Sequence, residues 1–235
     1  MSNKKYGLFC PIAMATETLE PRWTLLILTE IRCGSTRFNE IRRGVPGISP
    51  TLLSKRMKEM ERQGLIERVE DKAAGTVDYL RTPMAKELEP ILTALAEWSF
   101  RNIGSERALA EINPDYLMWS LRRNIDTAAL PERRVVLRFH FTDLKEDQST
   151  YWLVCRPGTA VGLCLTDPGF DVDLYFEADS KTFTSAWMGY TSMQAEISAE
   201  RVFLSGDARL IKTLDSWLLR WPYAEAAAAR TAAAQ

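Results

Sequence analysis

The sequence predicts an α+β protein in two parts: a mostly helical first half closed by a β-hairpin, then an antiparallel sheet backed by helices. Three observations predict it. Ser49-Pro50 and Gly64 bracket a stretch whose apolar residues recur at helical spacing. Residues 65–81 hold two short strand-like runs around a charged loop containing Gly75. Beyond Pro131 the spacing changes to alternation, as in Arg134–Phe141.

Composition limits the function classes. A chain of 235 residues has room for one large domain or two of ordinary size. With 46% hydrophobic and 26% charged residues it is a folded protein, not a disordered one. The net charge of −1 carries no information about nucleic acid, but the halves differ. Residues 1–104 hold 16 Lys+Arg against 13 Asp+Glu, or +3; residues 105–235 hold 14 against 18, or −4. No apolar run approaches the roughly 20 residues that span a bilayer. The first residues lack the apolar core of a signal peptide, so a cytoplasmic protein with no membrane partner is expected. Cys10, Cys33, Cys155 and Cys164 show neither a disulfide framework nor metal spacing. No metal and no cofactor are expected.

Taken in order, Ile12–Leu19 suits a short amphipathic helix, and Leu25–Ile31 is apolar almost all round, as a core helix is. Arg37–Arg43 is a second short helix, with Phe38 and Ile41 inward, closed by Gly44-Val45-Pro46-Gly47. The next helix runs from Ser49 as N-cap, through Pro50 at the first helical position, to Gly64 just past its end. Leu53, Met57 and Met60 make its apolar face; Thr51, Ser54, Lys55, Lys58 and Arg62 project from the other side. A DNA major groove accepts such a face, although an ordinary solvated helix has one too. The neighbours decide between them. Two short helices joined by a Gly/Pro turn make a helix-turn-helix. The hairpin after the second is then a wing with Lys72 at its tip, able to reach a phosphate. Met84–Asn102 reads as one long helix whose stripe of Leu88, Ile91, Leu92, Leu95, Trp98 and Ile103 exceeds what so small a domain needs, which points to a homodimer.

The first half resembles the HxlR-type winged helix-turn-helix regulators, relatives of the MarR group. The residues that carry the resemblance are Cys10-Pro11, Arg22–Leu28, Arg37–Ile41, Gly47–Pro50, Leu53–Glu61, Gly64-Leu65-Ile66 and Tyr79–Pro83, in that order. It implies a homodimer that regulates transcription by reading a palindromic double-stranded DNA operator. By position, Ser49, Thr51, Ser54, Lys55 and Lys58 would face DNA, with Arg37, Arg42 and Arg43 on backbone phosphates. The wing departs from the pattern in being acidic, with Glu67, Glu70, Asp71 and Asp78. Some members of this family sense oxidants or electrophiles through a cysteine placed as Cys10 is; others keep one there without such a role.

Residues 105–130 read as a helical linker, reset at Pro114. Strands follow at Arg134–Phe141, Tyr151–Arg156, Ala160–Leu165, Asp171–Glu177 and Arg201–Leu204, with helices at Ser180–Gly189 and Asp207–Leu219. This half resembles the sterol carrier protein type-2-like domain through Val172–Phe176, Ala178-Asp179-Ser180 and Val202–Asp207. That resemblance implies an apolar tunnel for a small apolar or aromatic ligand. Trp119, Phe139, Trp152 and Phe170 are candidates to line it, as are Tyr175, Phe183, Trp187 and Met188; aromatic residues at this spacing also serve simply as core. The expected organisation is 1–104 winged helix, 105–130 linker, 131–223 sterol-carrier-like domain and 224–235 Ala-rich tail.

An enzyme is not expected. His140 is the only histidine, and no Ser–His–Asp grouping or Gly-rich phosphate loop accompanies it. The reading is a ligand-responsive transcriptional regulator. The alternatives are a redox regulator acting through Cys10 and a lipid-carrier-type binding protein.

Overall fold

The computed structural model describes Tyr6 and residues 9–222. The Ala-rich tail expected at 224–235 lies outside the described residues. The chain divides between Leu95 and Ala96 into two compact units.

In the first unit α1 (Pro11–Leu19), α2 (Thr24–Arg32), α3 (Phe38–Gly44) and α4 (Pro50–Arg62) precede the hairpin β1 (Ile66–Asp71) and β2 (Thr76–Arg81). Helix α5 (Pro83–Lys86) and the start of α6 (Glu89–Asn102) complete it. Its core joins Ile27, Leu28 and Ile31 of α2, Ile41 of α3 and Leu53, Met57 and Met60 of α4. The apolar face of α4 was legible because it is the side the core takes. Two expectations differ. Helix α1 buries none of its residues, so Ile12 and Met14 point outward instead of forming an inner face. The long helix expected over Met84–Asn102 is broken between Lys86 and Glu89. Pro90 has no amide to donate to residue 86, and its ring would strike that carbonyl, so the helix restarts with Pro90 in its first turn.

The second unit follows α6 with α7 (Ser105–Ala108) and α8 (Pro114–Leu121), whose N-cap Asn113 accepts from the Tyr116 amide. Strands β3 (Val135–Phe141), β4 (Thr150–Cys155) and β5 (Gly162–Cys164) are joined by hairpins. Then come β6 (Leu174–Ala178), α9 (Ser180–Met188), α10 (Met193–Ser198), β7 (Val202–Gly206), α11 (Ala208–Lys212) and α12 (Leu214–Trp217). The sheet order is β5-β4-β3-β6-β7. It is mixed rather than antiparallel, because β3 and β6 run parallel. The connection 165–173 returns the chain the length of the sheet before β6 begins, so β6 repeats the direction of β3. Residues 105–130, read as a linker, instead put Leu117, Met118, Leu121, Ile125 and Leu130 into this unit's core. Phe139 stacks on Phe176 at 4.4 Å, and Phe183 meets both edge-on. The helix expected over Asp207–Leu219 breaks at Thr213 into α11 and α12.

Candidate nucleic-acid interface

Helix α4 begins as its residues dictate. The Ser49 hydroxyl accepts from the Leu52 amide at 3.2 Å, Pro50 needs no partner in the first turn, and Gly64 takes φ +73° just beyond the end. Burial of Leu53, Met57 and Met60 then fixes which side faces out. That side is a shallow groove lined by Thr51, Ser54, Lys55, Lys58, Glu59 and Arg62. Thr51, Lys55, Lys58 and Arg62 are exposed and Ser54 is half-buried. Glu59 is engaged by Arg56 at 2.5 Å, which removes Arg56 from the outer face and offsets the one carboxylate of the groove. The result is a short, cationic, hydroxyl-bearing ridge.

The flanking cations are placed less uniformly. Arg42 and Arg43 are exposed at the end of α3. Arg37, expected within that helix, is its N-cap, and its guanidinium lies 3.9 Å from Asp78 on β2. Its amide donates to Glu40 Oε2 at 3.2 Å, as does that of Thr36, so the α3 start is capped by its own carboxylate. Lys72 is exposed at the wing tip, where Asp71 Oδ1 accepts from the amides of Ala73 and Ala74 and shapes the turn. Glu67 and Glu70 are exposed along β1, with Arg68 paired to Glu70. The wing carries more negative than positive charge.

Comparison with known proteins adds to this geometry. A family model described as HxlR-like helix-turn-helix matches residues 18–107. An uncharacterized HTH-type transcriptional regulator of Methanothermobacter thermautotrophicus is 36% identical over 99 residues, covering 42% of this chain and 74% of that protein. The chain belongs to the HxlR-like helix-turn-helix family. A second relative, the uncharacterized HTH-type transcriptional regulator YvaP of Bacillus subtilis, is 36% identical over 92 residues, 38% of this chain and 85% of its own length. Among solved structures, the reduced form of the regulator YodB from B. subtilis is similar at 30% identity, covering 41% of this chain and 96% of that one, with a TM-score of 0.37. The relatives are transcriptional regulators, which are not enzymes. No helix among the described residues is long and apolar enough to cross a membrane.

The HxlR-like match ends at residue 107, and in the second unit the eight ligand candidates do not converge. Phe139 and Phe183 are fully buried in the core stack. Trp152 and Tyr175 both pair in register with Arg138, which puts them on the opposite face of the sheet from Phe139. Phe170 lies under the Arg134 guanidinium at 3.7 Å, and Trp119 under that of Arg122 at 3.6 Å. Of the eight, Trp187 and Met188 line a cavity of about 230 Å³ in this unit. Tyr116, Trp221 and Glu111 on that cavity were missed by sequence reasoning. The Asn113-Pro114 helix start, which places Tyr116 in the first turn of α8, was the signal available. His140 pairs its Nδ1 with Thr150 Oγ1 at 3.1 Å, and among the described residues no cluster of metal-ligating side chains occurs.

Proposed function

We infer that this chain is a DNA-binding transcriptional regulator, a homodimer that reads a palindromic duplex through α4 and is modulated by a small apolar or aromatic ligand in a sterol-carrier-like second unit. The observation that carries the DNA reading is the outward ridge of Thr51, Ser54, Lys55 and Lys58 on a helix whose inner face is wholly committed to the core. Lys55 and Lys58 donate to guanine O6/N7 or to phosphate, and the hydroxyls of Thr51 and Ser54 complete base or backbone contacts. Ser49, whose oxygen already accepts in the cap, donates its hydroxyl proton to a phosphate. Arg42, Arg43 and Lys72 contact phosphates alone, and Arg37 does so once it leaves Asp78. The acidic wing adds little. The homodimer reading is supported by Ile91, Leu95 and Trp98, all about half exposed, at helical spacing on α6.

A two-fold dimer presents its recognition helices about one DNA turn apart. The ligand acts by its differential affinity for dimers with different helix spacing. Footprinting on the duplex upstream of the protein's own gene tests this: two protected half-sites, roughly 10 base pairs centre to centre, are expected. A single half-site, or none, contradicts it.

The redox alternative is favoured by one observation: Cys10 is exposed immediately before α1. Loss of DNA release under mild oxidant in Cys10→Ser would support it.

A further inference from the structure

The cavity of the second unit has a chemistry that neither resemblance supplies. Its walls are apolar in the main and include three aromatic residues. Trp187 of α9 and Trp221 stand edge to face at 5.1 Å, and Tyr116 of α8 and Met188 lie on the same space. The Trp187 Nε1–H is spent on the Leu219 carbonyl at 3.0 Å. What the indole offers the cavity is therefore its π-surface, not a donor. The Thr184 hydroxyl donates to the Ser180 carbonyl at 2.7 Å and leaves only acceptor capacity. Glu111, an exposed acidic residue, is also part of the lining.

The lining residues hold no Lys, Arg or His. An anionic ligand such as a fatty acid would find no cationic partner there and would have the acidic Glu111 beside it. Aromatic faces with an acidic residue beside them and no fixed positive charge suit an organic cation, since ring quadrupoles and the acid act in the same direction. The balance of −4 over residues 105–235 attracts cations to the unit as well. The volume of about 230 Å³ limits the occupant to roughly one ring with a compact head group.

We propose that this cavity binds a small ammonium-bearing aromatic or alkyl compound, with Tyr116, Trp187 and Trp221 around the cationic head and Glu111 beside it. This deepens the ligand half of the proposed function and rests on it only for its regulatory meaning.

The test is titration calorimetry on the full chain with three probes: phenyltrimethylammonium, its neutral isostere tert-butylbenzene, and benzoate. Saturable binding of the cation is expected, at least about five-fold tighter than the isostere and tighter still than benzoate. Glu111→Gln, on the surface and outside the core, should narrow that ratio while leaving the melting temperature unchanged. Equal or tighter binding of the isostere or of benzoate, or no saturable binding of the cation at millimolar concentration, overturns the proposal. Operator affinity is read separately by anisotropy with and without the cation. Binding that leaves operator affinity unchanged keeps the site and defeats only the ligand-modulated reading.

Discussion

The Glu30 carboxyl occupies the place where a side chain at residue 44 would be: a Cβ built on Gly44 would lie 1.8 Å from Glu30 Cδ. Glu30 is buried on α2, and its Oε1 accepts from Ser35 Oγ at 2.6 Å. Gly44 ends α3. The end of α3 can approach Glu30 this closely only because residue 44 has no side chain.

Gly44→Ala should therefore destabilise the first unit by about 1–3 kcal/mol, as overpacking of a filled site does. Denaturant melts of the variant check it. Glu30→Ala alone should also cost stability by removing the carboxylate that accepts from the Ser35 hydroxyl, and the double variant should cost less than the sum of the two. A variant Gly44→Ala that melts with the wild type would mean Glu30 can move aside.

On α6, Ile91, Leu95 and Trp98 are 57%, 48% and 53% exposed, a concentration of large apolar surface unusual for a solvated helix. Leu95→Glu is expected to shift sedimentation toward monomer and to weaken operator binding without lowering helix content.

Three of the thiols separate by environment. Burial pushes Cys155 up to about 12, with Asp173 adding to the effect, so it is inert at neutral pH. Cys10 and Cys33 are exposed. Iodoacetamide followed by mass mapping should label Cys10 and Cys33 in the native protein and Cys155 only after unfolding.

Glu196 is buried on α10 and accepts from Arg201 Nε at 2.6 Å. That hydrogen bond holds its carboxyl below the usual carboxylate range against the opposing effect of desolvation. A folded value below the unfolded one means the stabilisation is complete above the ordinary value of 4.5 and is lost as pH falls through the folded value. Glu196→Gln should cost about 1–2 kcal/mol near neutrality and flatten the acid limb of the stability curve.

Legibility from sequence followed the kind of signal. Helix α4 was readable to the residue because Ser49, Pro50 and Gly64 each have one good use there. The core faces of α4 and β3 were equally plain from spacing, since Val135, Leu137, Phe139 and Phe141 are all buried. The break before α6 was obscured because the apolar stripe continues through Leu88 and Leu92 on both sides of Pro90. Alternation assigns a residue to a face but not a strand to a direction, so the parallel β3–β6 pair was invisible. It also cannot say which face a ligand would use. For that reason the sequence pattern does not separate Trp152 and Tyr175 from Phe139, which lies across the sheet from them. Helix α10, six residues capped by Ser192, is too short to show a period.

The central claim is that the outward ridge of α4 is a DNA-reading surface. Fluorescence anisotropy across a salt series tests it most directly, using the duplex upstream of the protein's own gene, a scrambled duplex, wild type and Lys55→Ala. The account predicts steeply salt-dependent binding that favours the native duplex. It also predicts a several-fold loss in Lys55→Ala, with a salt slope reduced by about one if the contact is to phosphate. Unchanged affinity in Lys55→Ala, or no binding by wild type even at low salt, would contradict it.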